Sequence, residues 1–125
     1  MMTINKSLLV IIIAFLVLSC KPHKPKLEFS NYTYDFGHIK KDSIYLGHSQ
    51  IRNTGNDTLK IMQISVDCSC TKVEITKHII LPNDSAIVKF KYRTFGKKGK
   101  QENFITIVAN TDSLIHLLQI NSLVK

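Results

Sequence analysis

Two rhythms of apolar and polar positions divide this chain. Leu8 to Leu18 is an unbroken apolar run. From residue 27 onward no helical period appears; short runs rich in Ile, Val, Phe, Tyr and Thr alternate with clusters of Asn, Asp and Gly. β-branched and aromatic runs cut by turn-forming residues predict strands. The runs place seven of them: Leu27–Phe36, closed by Gly37, then Ser43–Arg52, Thr58–Val66, Thr71–Thr76, Ser85–Arg93, Asn103–Asn110 and Leu114–Val124. Asn53-Thr54-Gly55-Asn56-Asp57, Leu81-Pro82-Asn83-Asp84 and Asn110-Thr111-Asp112 are the turns. A loop with Gly96 and Gly99 precedes Asn103.

Seven strands with polar turns predict an all-β fold, an immunoglobulin-like sandwich of two sheets. A jelly roll or small barrel is the structural alternative. The core of antibody domains is excluded, because the chain has no Trp and its cysteines lack the wide spacing of an inter-sheet pair.

The amino-terminal run is too short to cross a bilayer, which takes about 20 residues in a helix. It suits the apolar region of a signal peptide, with Lys6 supplying a weakly positive start. The segment ends Val17-Leu18-Ser19-Cys20. This resembles the lipobox of bacterial lipoproteins, with Leu18 bulkier than the usual residue there. The resemblance implies cleavage before Cys20 and lipidation on it. Several acyl chains anchor stably where one does not, since each buried methylene contributes about 0.8 kcal/mol. The absence of Asp at position 21 implies, by the same resemblance, the outer membrane. Residues 21–26, Lys-Pro-His-Lys-Pro-Lys, are expected to be an extended tether, because two prolines prevent regular structure. The expected division is therefore a signal peptide at 1–19, a lipidated Cys with its tether at 20–26, and one domain at 27–125.

Composition agrees with a globular domain: 44% hydrophobic and 21% charged residues leave no reason to expect disorder. The formal net charge of +8 changes the picture little. The lysines read as scattered, apart from Lys21–Lys26 and Lys97–Lys100, and no aromatic residues interleave with them. Nucleic acid is not an expected partner. A basic surface near anionic lipid headgroups is.

Further along, Phe36-Gly37-His38-Ile39, the Arg52-Asn53-Thr54-Gly55 turn, Ser65-Val66-Asp67-Cys68-Ser69-Cys70-Thr71 and Leu81-Pro82-Asn83-Asp84 carry a resemblance. Together they resemble domain-of-unknown-function family 1573, whose pattern runs Phe-Gly, Asn-x-Gly, Cys-Gly-Cys-Thr and a Pro-Gly turn. Ser69 and Asn83 stand where that pattern has Gly. Over residues 29–124 the resemblance implies an immunoglobulin-like fold in secreted or lipid-anchored bacterial proteins, and no agreed activity.

Cys68 and Cys70 are the sharpest chemical feature. Two strand residues separated by one are about 6.6 Å apart, at the edge of the 4.4–6.8 Å that a disulfide tolerates. A bridge would need a bend, would close a tiny loop, and would suggest a reducible redox pair rather than a staple. The reading weighed ahead of it keeps two separate thiols, one in the core and one capping a turn, since no His or Lys adjoins the pair to lower a thiol pKa. A third reading adds His38, His48, His78 or His116 to make a metal site, though Cys-x-Cys alone is a weak ligand signal.

Asp42-Ser43-Ile44, Asp57-Thr58-Leu59, Asp84-Ser85-Ala86 and Asp112-Ser113-Leu114 repeat one pattern. It resembles the acceptor triplet of periplasmic O-glycosylation, which would place glycans on Ser43, Thr58, Ser85 or Ser113. Asp and Ser also favour turns for their own reasons, so the pattern has a purely local reading. No Ser-His-Asp signature, phosphate loop or paired acids are present, and no cofactor is expected. The chain reads as a non-catalytic module, tethered to the envelope, that binds protein or glycan or has a structural role. Residues 94–103 and the Cys68–Cys70 corner are its expected binding surfaces. The alternative is a thiol-redox or metal-handling protein.

Overall fold

A computed structural model describes residues 3–18 and 21–125, so the lipidation expected at Cys20 lies outside the described residues. The apolar run forms helix α1 (Lys6–Leu18, 13 residues). Among the described residues no helix is long and apolar enough to cross a membrane.

Among the described residues nine strands follow: β1 (Leu27–Phe29), β2 (Thr33–Ile39), β3 (Ile44–Asn53), β4 (Leu59–Val66), β5 (Thr71–Ile75), β6 (Ile79–Ile80), β7 (Ser85–Arg93), β8 (Gly99–Ala109) and β9 (Ile115–Val124). They form two facing sheets, one ordered β1-β3-β7-β5 and the other β2-β9-β8-β4-β6. The fold is therefore the immunoglobulin-like sandwich that the strand pattern predicts. Alternation explains the layering: along β3 and β7 every second residue is buried, and the same holds along β8 and β9. Ile51, Val88 and Phe90 from one sheet meet Ile105, Ile107, Leu118 and Ile120 from the other. A smaller cluster of Ile39, Tyr92 and Val124 closes one end, with Phe36, Tyr45 and Cys70 against it.

Three elements differ from the sequence expectation. The first expected strand is two strands in different sheets: β1 pairs with β3, while β2 pairs parallel with β9. Leu27 and Phe29 point into the core, then the exposed Ser30–Tyr32 carries the chain across the sandwich edge. Gly37 does not close the strand; the chain bulges between Asp35 and His38 and continues to Ile39. The short β6 has only Ile80 to bury, too little alternation to read. Finally, β8 begins at Gly99, so half of the expected loop belongs to the sheet.

Asn53 ties one end of the sandwich together. Its fully buried side chain donates to Asp57 O (2.7 Å) and Ile80 O (2.9 Å) and accepts from Gly55 N (3.0 Å) and Lys26 N (3.3 Å). The segment before β1 has no regular structure, and it is seated on this turn. Thr54 N donates to Lys26 O, Asn56 N to Lys24 O, and Asn56 Nδ2 to Pro22 O, at 3.0, 3.0 and 3.2 Å. Gly55 permits the approach, because a Cβ there would meet Lys24 O and the backbone at Pro25 and Lys26. Asn83 takes φ 66, the left-handed conformation in which Asn is the most tolerant residue after Gly. That accounts for Asn where the family pattern has Gly.

Candidate functional site

The strands give the sandwich two distinct ends. Residues 22–26 and the turns at 53–57, 81–84 and 110–113 lie at one of them. At about 3.3 Å per residue, the ten-residue β3 carries the chain roughly 30 Å to the other. The loops 40–43, 67–70 and 94–98 meet there: Thr94 N donates to Ser43 O and Arg93 N to Cys70 O, both at 2.9 Å.

Cys68 and Cys70 are joined there as a disulfide, in place of the two separate thiols weighed ahead at the sequence level. The reason is the bend that extended geometry lacks. After β4, Asp67 pairs with Phe104 through both its backbone N–H and its carboxylate. The chain then turns so that Thr71 N donates to Cys68 O (3.1 Å), which brings the two Cα atoms to 5.1 Å. The sulfurs have unlike neighbours. Cys68 Sγ accepts from Cys70 N (3.2 Å) and from Lys97 Nζ (3.6 Å). Cys70 Sγ lies 3.7 Å from Thr71 Oγ1, and the residue packs on the Ile39–Tyr92–Val124 cluster. Lys97 escaped sequence reasoning because it is 29 residues from Cys68 and arrives on the β7–β8 loop. A signal was present: the hairpin turning at Gly96 returns the chain to the end where β4 finishes.

A second site was missed altogether. On the outer face of the four-stranded sheet lies a groove of about 790 Å³, walled by Leu46, His48, Lys72, Ile87, Lys89 and Lys91, with Val73 and Phe90 at its floor. The lysines that read as scattered converge here through strand register. Lys72 lies directly opposite Lys91, and Glu74 opposite Lys89. Like charges facing across a strand pair are mutually destabilising. An anion in the groove would relieve that repulsion.

The glycosylation triplets all sit at strand entries. Asp57 and Asp84 accept from the N–H of the next residue, each at 2.8 Å, so both have a local turn role. Ser113 is exposed, whereas Ser43, Thr58 and Ser85 are half-buried. The histidines do not gather near the cysteines: His38 is on β2, His48 on β3, His78 precedes β6 and His116 is on β9. Among the described residues no three His, Cys, Asp or Glu side chains are placed to hold a metal.

His116 is half-buried, with Nε2 2.7 Å from Thr111 Oγ1. Burial pushes its pKa below the usual 6.5, and a hydrogen bond donated by the ring to the Ser113 backbone opposes the shift. The unfolded chain therefore takes up this proton first, and the contribution to stability is present above pH 6.5 and lost as pH falls toward the depressed value. Urea unfolding should show lower stability at pH 5.5 than at 7.5, and His116→Gln should remove part of that difference. An identical pH dependence in the variant would disprove the assignment.

No curated protein matches the chain. Among solved structures, it resembles a protein of unknown function from Porphyromonas gingivalis W83 (TM-score 0.72, 14% identity), covering 84% of this chain and 50% of that one. The chain thus spans half the length of that protein. It also resembles the ASH / PapD-like domain of human CEP192 (PapD-like domain 7), with TM-score 0.64 and 12% identity over 85% of this chain and 89% of that domain. The VesB protease of Vibrio cholerae gives TM-score 0.63 and 9% identity over 97% of this chain and 36% of that one. At such identities the likeness speaks of fold alone. Sequence goes further: residues 27–124 match the model described as Protein of unknown function (DUF1573), and the chain belongs to that family.

Proposed function

We propose that this chain is a lipid-anchored, non-catalytic module of the bacterial envelope, held at the outer membrane by Cys20, that binds an anionic envelope protein or glycan. The observation that carries the reading is the seating of residues 22–26 on the 53–57 turn. An anchor at residue 20 would then hold the domain by that end as a semi-rigid mount. The disulfide corner would face away from the membrane, and the lysine groove would lie along the flank. Three lysines against one Glu suit an acidic ligand, and the exposed Leu46 and the partly buried Ile87 add apolar contact.

Fractionation tests the anchor. The native protein should sediment with outer membranes in processed form, and Cys20→Ser should yield unprocessed or soluble chain; unchanged processing and attachment would refute it. A photo-crosslinking residue at Leu46 tests the binding surface. It should capture a recurrent envelope component, and Lys72→Glu with Lys91→Glu should abolish the adduct. Absence of any recurrent adduct would refute the binding role.

A further inference from the structure

The two sulfurs of one disulfide sit in opposite electrostatic surroundings. Cys68 Sγ is approached by two donors, the Cys70 N–H and the Lys97 ammonium, which stabilise negative charge on sulfur. Cys70 packs against Ile39, Tyr92 and Val124, where a thiolate would be desolvated and a neutral thiol suits. Both residues are half-buried and neither is sealed in the core, so part of each remains open to a second molecule.

The disulfide is also dispensable as a staple. It closes a loop of only three residues, which removes little chain entropy from the unfolded state. The turn already has its own ties: Asp67 N to Phe104 O, Thr71 N to Cys68 O and Arg93 N to Cys70 O. A bridge that adds little to stability, in reach of solvent and beside a cation, has the character of a labile disulfide.

We infer that Cys68–Cys70 is a thiol–disulfide exchange site that oxidises protein dithiols, with Cys68 as the leaving sulfur and Lys97 as the residue that stabilises it. A substrate thiolate attacks Cys70 Sγ; the Cys68–Cys70 bond breaks and its electron pair departs on Cys68 Sγ, next to Lys97. The second substrate thiolate then attacks the substrate sulfur of the mixed disulfide and expels Cys70, which takes up a proton released by the substrate. The substrate loses two electrons and two protons and becomes a disulfide. The protein gains them as the Cys68 and Cys70 thiols. The exchange is stoichiometric, and it goes beyond the binding role without depending on the anchor.

The test uses the full chain purified in detergent. A peptide carrying two reduced cysteines should be oxidised stoichiometrically, while Cys68 and Cys70 become open to alkylation. A peptide with a single cysteine should be found by mass spectrometry on Cys70, with the alkylating label on Cys68. Lys97→Met should slow the exchange about threefold or more, because the departing thiolate loses its cation, and Lys97→Arg should restore the rate. Circular dichroism of each variant separates this effect from misfolding. No oxidation of the two-cysteine peptide by folded chain with its disulfide intact would overturn the site. The single-cysteine peptide on Cys68 would overturn the choice of leaving sulfur, and an unchanged rate in folded Lys97→Met would overturn the role of Lys97.

Discussion

Phe90→Ala should destabilise the domain by about 3–5 kcal/mol, the usual cost of removing a buried aromatic ring. Phe90 is 3% exposed, and its ring meets Tyr34 edge-on at 5.1 Å and Phe36 at 6.0 Å. Phe36 in turn stacks on Tyr92, whose ring belongs to the end cluster, so one ring supports the next through the sandwich. Gly47 belongs to the same unit, since a Cβ there would come within 2.7 Å of Phe90 Cζ and 3.1 Å of Tyr34 Cε1. Gly47→Ala alone should therefore cost about 1–3 kcal/mol through overpacking. The penalty should shrink in a Phe90→Leu background, because the two sites share one space. The chain has no Trp, so urea unfolding is best followed by circular dichroism and tyrosine fluorescence. A loss below about 1 kcal/mol for Phe90→Ala would mean that the ring does not brace the two sheets.

Asn53→Ala should cost roughly 2–4 kcal/mol, because it strips partners from several backbone groups at once. Asp57 O and Ile80 O lose their donor, and Gly55 N and Lys26 N lose their acceptor. Asn53→Asp should be worse, since it sets a buried carboxylate against two carbonyl oxygens. The decisive readout is local. Amide exchange at Thr54 and Asn56 should accelerate more than global stability accounts for, because both amides bond to the 22–26 segment. Protection unchanged at these two amides would show that the segment is held without Asn53.

These residues also show what the sequence disclosed and why. Strand alternation is a local signal, so β3, β4, β5, β7 and β9 were legible to within a residue or so. The Asn-x-Gly and Phe-Gly motifs marked the places where the fold makes unusual demands: Asn53 as a hydrogen-bond hub, Gly55 beneath another backbone, Gly37 in a bulge. The crossing at Ser30–Tyr32 was hidden because a strand that changes sheets keeps its alternation on both sides. At the site, the cysteine pair was visible but its state was not, since the bend that joins the sulfurs depends on Asp67 meeting Phe104. Lys97 and the Lys72–Lys91 pair were out of reach for a similar reason. Their proximity is a property of register, which no local window contains.

The parallel pairing of β2 with β9 has a consequence for how the chain comes together. β9 lies between β2 and β8, although it is made after both. Until residue 124 is available, β2 has no neighbour and β8 shows an open edge, a template for pairing between chains. Assembly of this sheet therefore waits for β9, and closing it joins segments about 85 residues apart, a topology associated with slow folding. Any amino-terminal fragment that stops short of β9 therefore leaves this sheet unclosed.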